Sequence, residues 1–193
     1  LGKEIRKAFI PSDGNHLLLS ADYSQIELRI MASICGDEGL TQAFLYGEDI
    51  HRSTAAQVFK VNPDNVTIDM RRKAKEVNFG ILYGIGAFGL KTRLGITQTH
   101  AKEIIQTYFS TFGKVKAFMD ESIGKAKEKG YAETLLGRRR FLPNINSKNH
   151  LVRQFEERVA INMPIQGTAA DMIKLAMIKI HNELKKGNYK TKM

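Results

Sequence analysis

MRRKAKEVNFGILYG, residues 70–84, carries two cations and two aromatics at a constant interval of four: Arg71, Lys75, Phe79 and Tyr83. On a helix such residues drift by only about 40° per step, so all four share one ridge. A basic stripe on a solvated face explains the first pair alone, and core packing explains the second alone. Their joint occurrence on one ridge fits a surface that grips phosphates at one end and stacks a flat base at the other. Gly80 costs about 1 kcal/mol relative to Ala in a helix interior, and its missing side chain implies a close neighbour. The spacing predicts a helix over roughly 69–83.

Working outward, residues 5–10 (IRKAFI) and 16–22 (HLLLSAD) read as strands joined by a turn at Pro11–Gly14. From Ser24 the pattern becomes helical, with Ile26, Ile30 and Ile34 four apart and a stop at Gly36. Two short helices are expected between 39 and 59, broken near Gly47, then a loop at Asn62-Pro63. Glycines 84, 86 and 89 are expected to loosen the chain. Beyond them, an amphipathic helix carries Ile104, Ile105, Tyr108, Phe109 and Phe112, and another spans about 114–129 before Gly130. YAETLLGRRRFLP (131–143) reads as a hairpin turning at Leu136-Gly137-Arg138. Helices over about 148–162 and 164–184 complete the pattern, with Pro164 kinking or restarting the path between them; NYKTKM (188–193) alternates like a strand.

Within LLLSADYSQIELR (17–29), Asp22 ends an apolar run, where it would project from the C-terminal edge of a sheet. Helix N-cap, salt-bridge partner and hard-metal ligand are the open roles. Glu27, one helical turn on, either returns to the same mouth or pairs with solvent or Arg29. A third constellation, ERVAINMPIQGTAAD (157–171), spaces Arg158, Asn162 and Gln166 by four. The two amides could read base edges or sugars in a minor groove, or simply cap helices.

With 193 residues, 42% of them hydrophobic, the chain can bury a core, as one domain or two intimate subdomains. A net charge of +10 and a pI near 9.7 favour a polyanionic partner, with nucleic acid first. No apolar run approaches the ~20 residues needed to span a bilayer, so no membrane role is expected. Nothing resembles a leader peptide, and the single Cys35 excludes an internal disulfide; both fit a reducing, cytoplasmic setting.

On these stretches the chain resembles the polymerase domain of family A DNA polymerases, the bacterial polymerase I type. DYSQIELR resembles the family's motif A, and RRKAKEVNFGILYG its motif B, with the Arg-x3-Lys-x7-Tyr-Gly spacing at Arg71, Lys75, Tyr83 and Gly84. EDIHRSTA, TLLGRRRFLP and NMPIQGTAAD also resemble family segments, in the family's order.

The resemblance implies an α+β, predominantly helical fold: the fingers subdomain plus an incomplete palm of a right-hand polymerase. Residues 1–40 would be a first palm part, 41–143 the fingers and 144–193 a second palm part. The implied activity is template-directed DNA synthesis in replication and repair, by nucleotidyl transfer from a dNTP to a primer 3′-hydroxyl with two Mg²⁺ ions. Asp22 and the Tyr23 carbonyl would hold metal. Tyr23, Gln25, Glu27, His51, Arg71, Lys75, Phe79 and Tyr83 would line the nucleotide site. Glu27 would act as the sugar gate, His51 would lie near the triphosphate, and Arg71 and Lys75 would bind it, with Lys75 a candidate general acid. Phe79 would pack beside the sugar, and Tyr83 would hold the template-base position. Arg158, Asn162 and Gln166 would follow primer-template DNA, and no obligate protein partner is inferred. The family's motif C, with its second metal-binding aspartate, is not reached by Met193, so the expectation is a fragment inactive alone, cytoplasmic and nucleoid-associated in a bacterium. The alternative is a non-catalytic nucleic-acid-binding module of the same fold. Glu27 and NMPIQGTAAD weigh against a single-subunit RNA polymerase.

Overall fold

The structure, a computed structural model, describes residues 2–193. A short helix α1 (Gly2–Ile5) runs into a 3₁₀ turn (Arg6–Ala8) and a long irregular segment. Helices α2 (Ile26–Cys35), α3 (Glu38–Leu45), α4 (Ile50–Phe59), α5 (Ile68–Leu82), α6 (Ala87–Leu94), α7 (Gln98–Thr111) and α8 (Gly113–Lys129) follow. A hairpin, β1 (Tyr131–Glu133) and β2 (Arg139–Phe141), precedes α9 (His150–Asn162), a π turn (Met163–Gly167) and α10 (Thr168–Lys186). The fold is predominantly helical with one small antiparallel sheet, in register Tyr131↔Phe141 and Glu133↔Arg139.

Local chemistry starts these helices where their sequences direct. Asp37 caps α3, Asp49 caps α4, Thr67 caps α5, Thr97 caps α7 and Asn149 caps α9, each accepting hydrogen bonds from first-turn N–H groups. Such a cap typically contributes about 1 kcal/mol. Packing then fixes the arrangement. Ala74, Val77, Asn78 and Ile81 form the buried stripe of α5, at offsets of zero, three, four and seven. Val77 and Ile81 join Leu28 and Met31 of α2, Leu40 of α3, Leu90 of α6, Ile104 and Tyr108 of α7, Val115 of α8 and Ile161 of α9 in one core. Burying each large aliphatic side chain contributes about 1.5–3 kcal/mol. A smaller cluster of Ala126, Ala132, Leu142, Ile145 and Ala160 seats the hairpin on α8 and α9.

Two sequence expectations fail. Neither 5–10 nor 16–22 forms a strand: the first is helical turn followed by irregular chain, and the second is extended but unpaired. Leu17 and Leu19 are 93% and 91% exposed. A strand needs a neighbour to take its N–H and C=O groups, and none lies beside this segment among the described residues. The closing NYKTKM forms no strand either, for the same reason. The second failure is α6, which forms where glycines were expected to loosen the chain. Its Leu90 is wholly buried and Gly95 ends it in the left-handed conformation, so tertiary packing overrides the cost of Gly89.

At the Pro164 junction the path neither breaks nor sharply restarts. The π turn absorbs the proline and lets α9 run into α10. A clamp holds this bend against the hairpin: Arg138 donates to Asp171 and to the Gly167 carbonyl, both at 2.8 Å, and Thr134 donates to Asp171. The Thr134 hydrogen bond, followed by Arg138, keeps the Asp171 carboxyl below the usual range despite slight desolvation. A Cβ on Gly167 would meet Thr134 Cγ2 at 2.4 Å, so this position has no room for a side chain.

Candidate active site

An open cleft of about 370 Å³ lies where the segment before α2 meets the first turns of α2 and α4 and the outer ridge of α5. Asp22, Tyr23, Gln25, Ile26, Glu27, His51, Arg71, Lys75 and Phe79 line it. A larger hollow of about 560 Å³ between α4 and α7 is walled by Val58, Phe59, Lys60, His100, Glu103, Ile104, Gln106 and Thr107. The smaller cleft is the better candidate because oppositely charged and aromatic groups converge on it.

The α5 ridge is graded as its sequence reads. Arg71 and Lys75 are exposed, whereas Phe79 and Tyr83 are half-buried. Lys75 Nζ stands 6.0 Å from the Phe79 ring centre, and the Phe79 ring lies 5.9 Å from His51 and 6.1 Å from Tyr83. The neighbour implied by Gly80 is Ile85, whose Cγ2 would lie 2.9 Å from an added Cβ. That contact folds the chain after α5 back onto the helix.

Asp49 is a site residue that the sequence reading passed over. Besides capping α4, its second carboxyl oxygen accepts from Arg71 Nε. Burial acts to raise the Asp49 pKa, but Arg71 and the His51 and Arg52 N–H groups outweigh it and hold the carboxyl below its usual range. Both partners are about a third or more exposed, so the pair adds at most about 1 kcal/mol of stability. Its consequence is geometric: the guanidinium is held on the cleft's rim. The available signal was an Asp placed as N-cap two residues before a histidine.

His51 is 2% exposed, far from the surface histidine that its residue type alone would indicate. Burial lowers its pKa below 6.5, and the Arg71 and Lys75 cations add to this against the opposing Asp49 charge. A histidine buried neutral must take up a proton on unfolding, so its stabilising contribution is present above pH 6.5 and fades as pH falls through the folded value. The urea midpoint of the chain is therefore expected to fall between pH 7 and pH 5, with a shallower slope in His51→Gln. Identical slopes in both proteins would exclude His51 as the source.

Glu27 does not pair with Arg29, which instead donates to the Ser24 carbonyl at 3.0 Å and covers the Phe44 ring. A Glu27 carboxyl oxygen accepts the Tyr83 hydroxyl, tying α2 to the end of α5. Burial first, then Glu27, push the Tyr83 hydroxyl up to about 12, with Gln166 pulling the other way, so the phenol stays a donor. Gln25 takes the left-handed conformation (φ 54°) as the residue before α2, at a cost of about 1–2 kcal/mol, and its Oε1 is buried without a partner. Backbone strain and an unpartnered acceptor thus lie together beside one cleft.

Asp22 is exposed on the cleft's rim. Gln25 rather than Asp22 is the N-cap of α2, and Asp22 makes no ion pair among the described residues. Neither a helix cap nor an ion pair therefore occupies the Asp22 carboxylate among the described residues. Its position is an irregular, unpaired segment rather than a sheet edge. No group of three His, Cys, Asp or Glu side chains converges to cage a metal among the described residues. One carboxylate with a neighbouring carbonyl suits Mg²⁺, which keeps water and uses phosphate oxygens for its remaining ligands.

The third constellation lies off the cleft's far end. A Cβ on Gly84, which has φ +70°, would meet Arg158 Cγ at 3.2 Å, so the end of α5 rests on α9. Arg158 is exposed on α9, Asn162 sits at its end with Oδ1 buried and unpartnered, and Gln166 is exposed on the π turn. Within GRRRF, Arg138 is committed to the clamp and Arg139 to Glu133 at 3.1 Å; Arg140 has no such partner among the described residues.

A family model described as DNA polymerase family A matches residues 1–193. The chain is 55% identical over all 193 residues to a DNA polymerase I of Streptococcus pneumoniae, and 53% identical over 184 residues to one of Geobacillus stearothermophilus. It covers 22% and 21% of those proteins, so it spans about a fifth of the curated relatives it matches. A solved structure titled as the POL domain of Pol1 from M. smegmatis, in complex with DNA primer-template and dNTP, superposes with a TM-score of 0.83 at 44% identity. That match covers 88% of this chain and 30% of the other.

Proposed function

Since the chain belongs to DNA polymerase family A, we propose that it forms the nucleotide-binding part of a DNA-directed DNA polymerase, transferring a dNMP unit to a primer 3′-hydroxyl. The observation that carries this reading is the shared cleft: Asp22, Glu27, His51, Arg71, Lys75 and Phe79 all line it. Plain nucleic-acid binding has no use for a free carboxylate facing two phosphate-binding cations. Residues 1–40 and 144–193 are proposed as palm and 41–143 as fingers.

Arg71 and Lys75 receive the triphosphate, with Asp49 setting the direction of the Arg71 guanidinium. Phe79 packs beside the sugar, and Glu27, held by Tyr83, fills the space a 2′-hydroxyl needs. Lys75 donates a proton to the departing pyrophosphate. Asp22 and the Tyr23 carbonyl would hold Mg²⁺, and paired ions, when bound, supply charge stabilisation to the attacking and leaving oxygens. Arg158, Asn162 and Gln166 contact the primer-template minor groove, where A·T and T·A look alike and every sequence can be accepted. DNA and dNTPs are the proposed partners. No helix among the described residues is long and apolar enough to cross a membrane.

Primer extension by a full-length polymerase bearing this segment tests the reading. Glu27→Ala is expected to lose about 10–100-fold of its discrimination against ribonucleotides while still extending with dNTPs. Unchanged discrimination would remove Glu27 from the sugar gate. Absence of template-dependent extension in the unmutated enzyme would favour the non-catalytic binding module.

A further inference from the structure

The buried stripe of α5 contains one polar residue, Asn78, at 0% exposure. Its Nδ2 lies 2.9 Å from His51 Nδ1, and its Oδ1 lies 3.1 Å from Thr54 Oγ1. Thr54 Oγ1 is also 2.8 Å from the Ile50 carbonyl, one turn back on α4. Thr54 and His51 are 1% and 2% exposed, so the Asn78 amide meets both of them between α4 and α5 while His51 still borders the cleft. An amide nitrogen can only donate. Nδ1 must therefore accept with its lone pair, and the proton of a neutral ring then sits on Nε2. That second nitrogen makes no hydrogen bond among the described residues, and the ring lines the cleft.

We propose that Asn78 is a positioning residue, holding His51 as the Nε2–H tautomer so that a neutral imidazole offers a hydrogen-bond donor to a phosphate in the cleft. The proposal rests on the reading that this cleft takes a nucleoside triphosphate. Charged groups around the ring make the device necessary. Asp49 favours an imidazolium, but burial, Arg71 and Lys75 disfavour it. A neutral ring protonated on Nδ1 would turn a lone pair towards the phosphate and repel it. By directing its Nδ2 to Nδ1, Asn78 removes that possibility. The Thr54 hydroxyl divides its one proton between the Ile50 carbonyl at 2.8 Å and Oδ1 at 3.1 Å, and its share to Oδ1 favours this amide orientation without locking it.

The test is nitrogen NMR of the 193-residue chain labelled with ¹⁵N-histidine, above pH 7. The expected wild-type signature for His51 is an unprotonated Nδ1 and a protonated Nε2. Asn78→Asp is nearly isosteric and accepts only, so it should reverse the two states. In a full-length polymerase bearing this segment, the same variant should raise the dNTP KM about tenfold with kcat within about twofold. A wild-type ring protonated on Nδ1 overturns the proposal, and that spectrum decides even if the variant does not fold. An Asn78→Asp protein that folds but keeps Nδ1 unprotonated with the proton on Nε2 also overturns it. Reversal of the tautomer with an unchanged dNTP KM supports ring positioning by Asn78 while overturning the placement of His51 at the triphosphate.

Discussion

Asp22→Asn, introduced into a full-length polymerase bearing this segment, is expected to lower primer extension on the order of 10³-fold or more. The substitution keeps the shape of the side chain and removes the one charge that a hard cation requires. Asp22 is exposed, neither caps a helix nor pairs with a cation among the described residues, and belongs to no core cluster. Stability should accordingly change by no more than about 0.5 kcal/mol. Measuring single-nucleotide extension beside thermal unfolding separates the two effects. Extension within about tenfold of the unmutated enzyme would sink the metal-ligand role, and an equally large loss of stability would make the effect structural.

Lys75→Ala carries the second large effect, a drop of about 10²–10³-fold in kcat/KM for the incoming dNTP. Two contributions are combined there: a positive charge next to the phosphates, and a proton available to the leaving pyrophosphate. Lys75→Arg distinguishes them. A guanidinium retains the charge but does not release its proton, so KM should recover towards the unmutated value while kcat stays low. Full recovery of kcat in the arginine variant would show that Lys75 acts through charge alone. Lys75 is exposed and its aromatic contact is a 6.0 Å cation–π approach to Phe79, so neither change should disturb the fold.

Much of the site was legible because helices advertise themselves locally. The four-residue interval from Arg71 to Tyr83 put both cations and both aromatics on one ridge, and the structure keeps that ridge graded from solvent to core. A mouth shared by Glu27 and Asp22 was one of the open readings for Glu27, and one cleft contains both. Asn78 was passed over although a signal existed: it occupies the phase of Ala74, Val77 and Ile81, where an apolar residue is the ordinary choice. Asp49 was hidden behind the more conspicuous His51. The ridge's partners, Asp49 for Arg71 and Glu27 for Tyr83, lie 22 and 56 residues away. Sequence spacing carries no information about such pairs.

The sequence alone set the chemistry of the chain and the order of its helices. Each helix closes hydrogen bonds four residues apart, and α3, α4, α5, α7 and α9 take a cap from an adjacent side chain, so these decisions are made within a few residues. Tertiary structure alone decided where extended chain would pair, that α6 would form despite its glycine, and which buried polar atoms would meet. A strand needs partners distant in sequence, and residues 16–22 find none among the described residues. The turned-in imidazole of His51 likewise depends on α4 lying against α5, because only that contact brings the Asn78 amide to it.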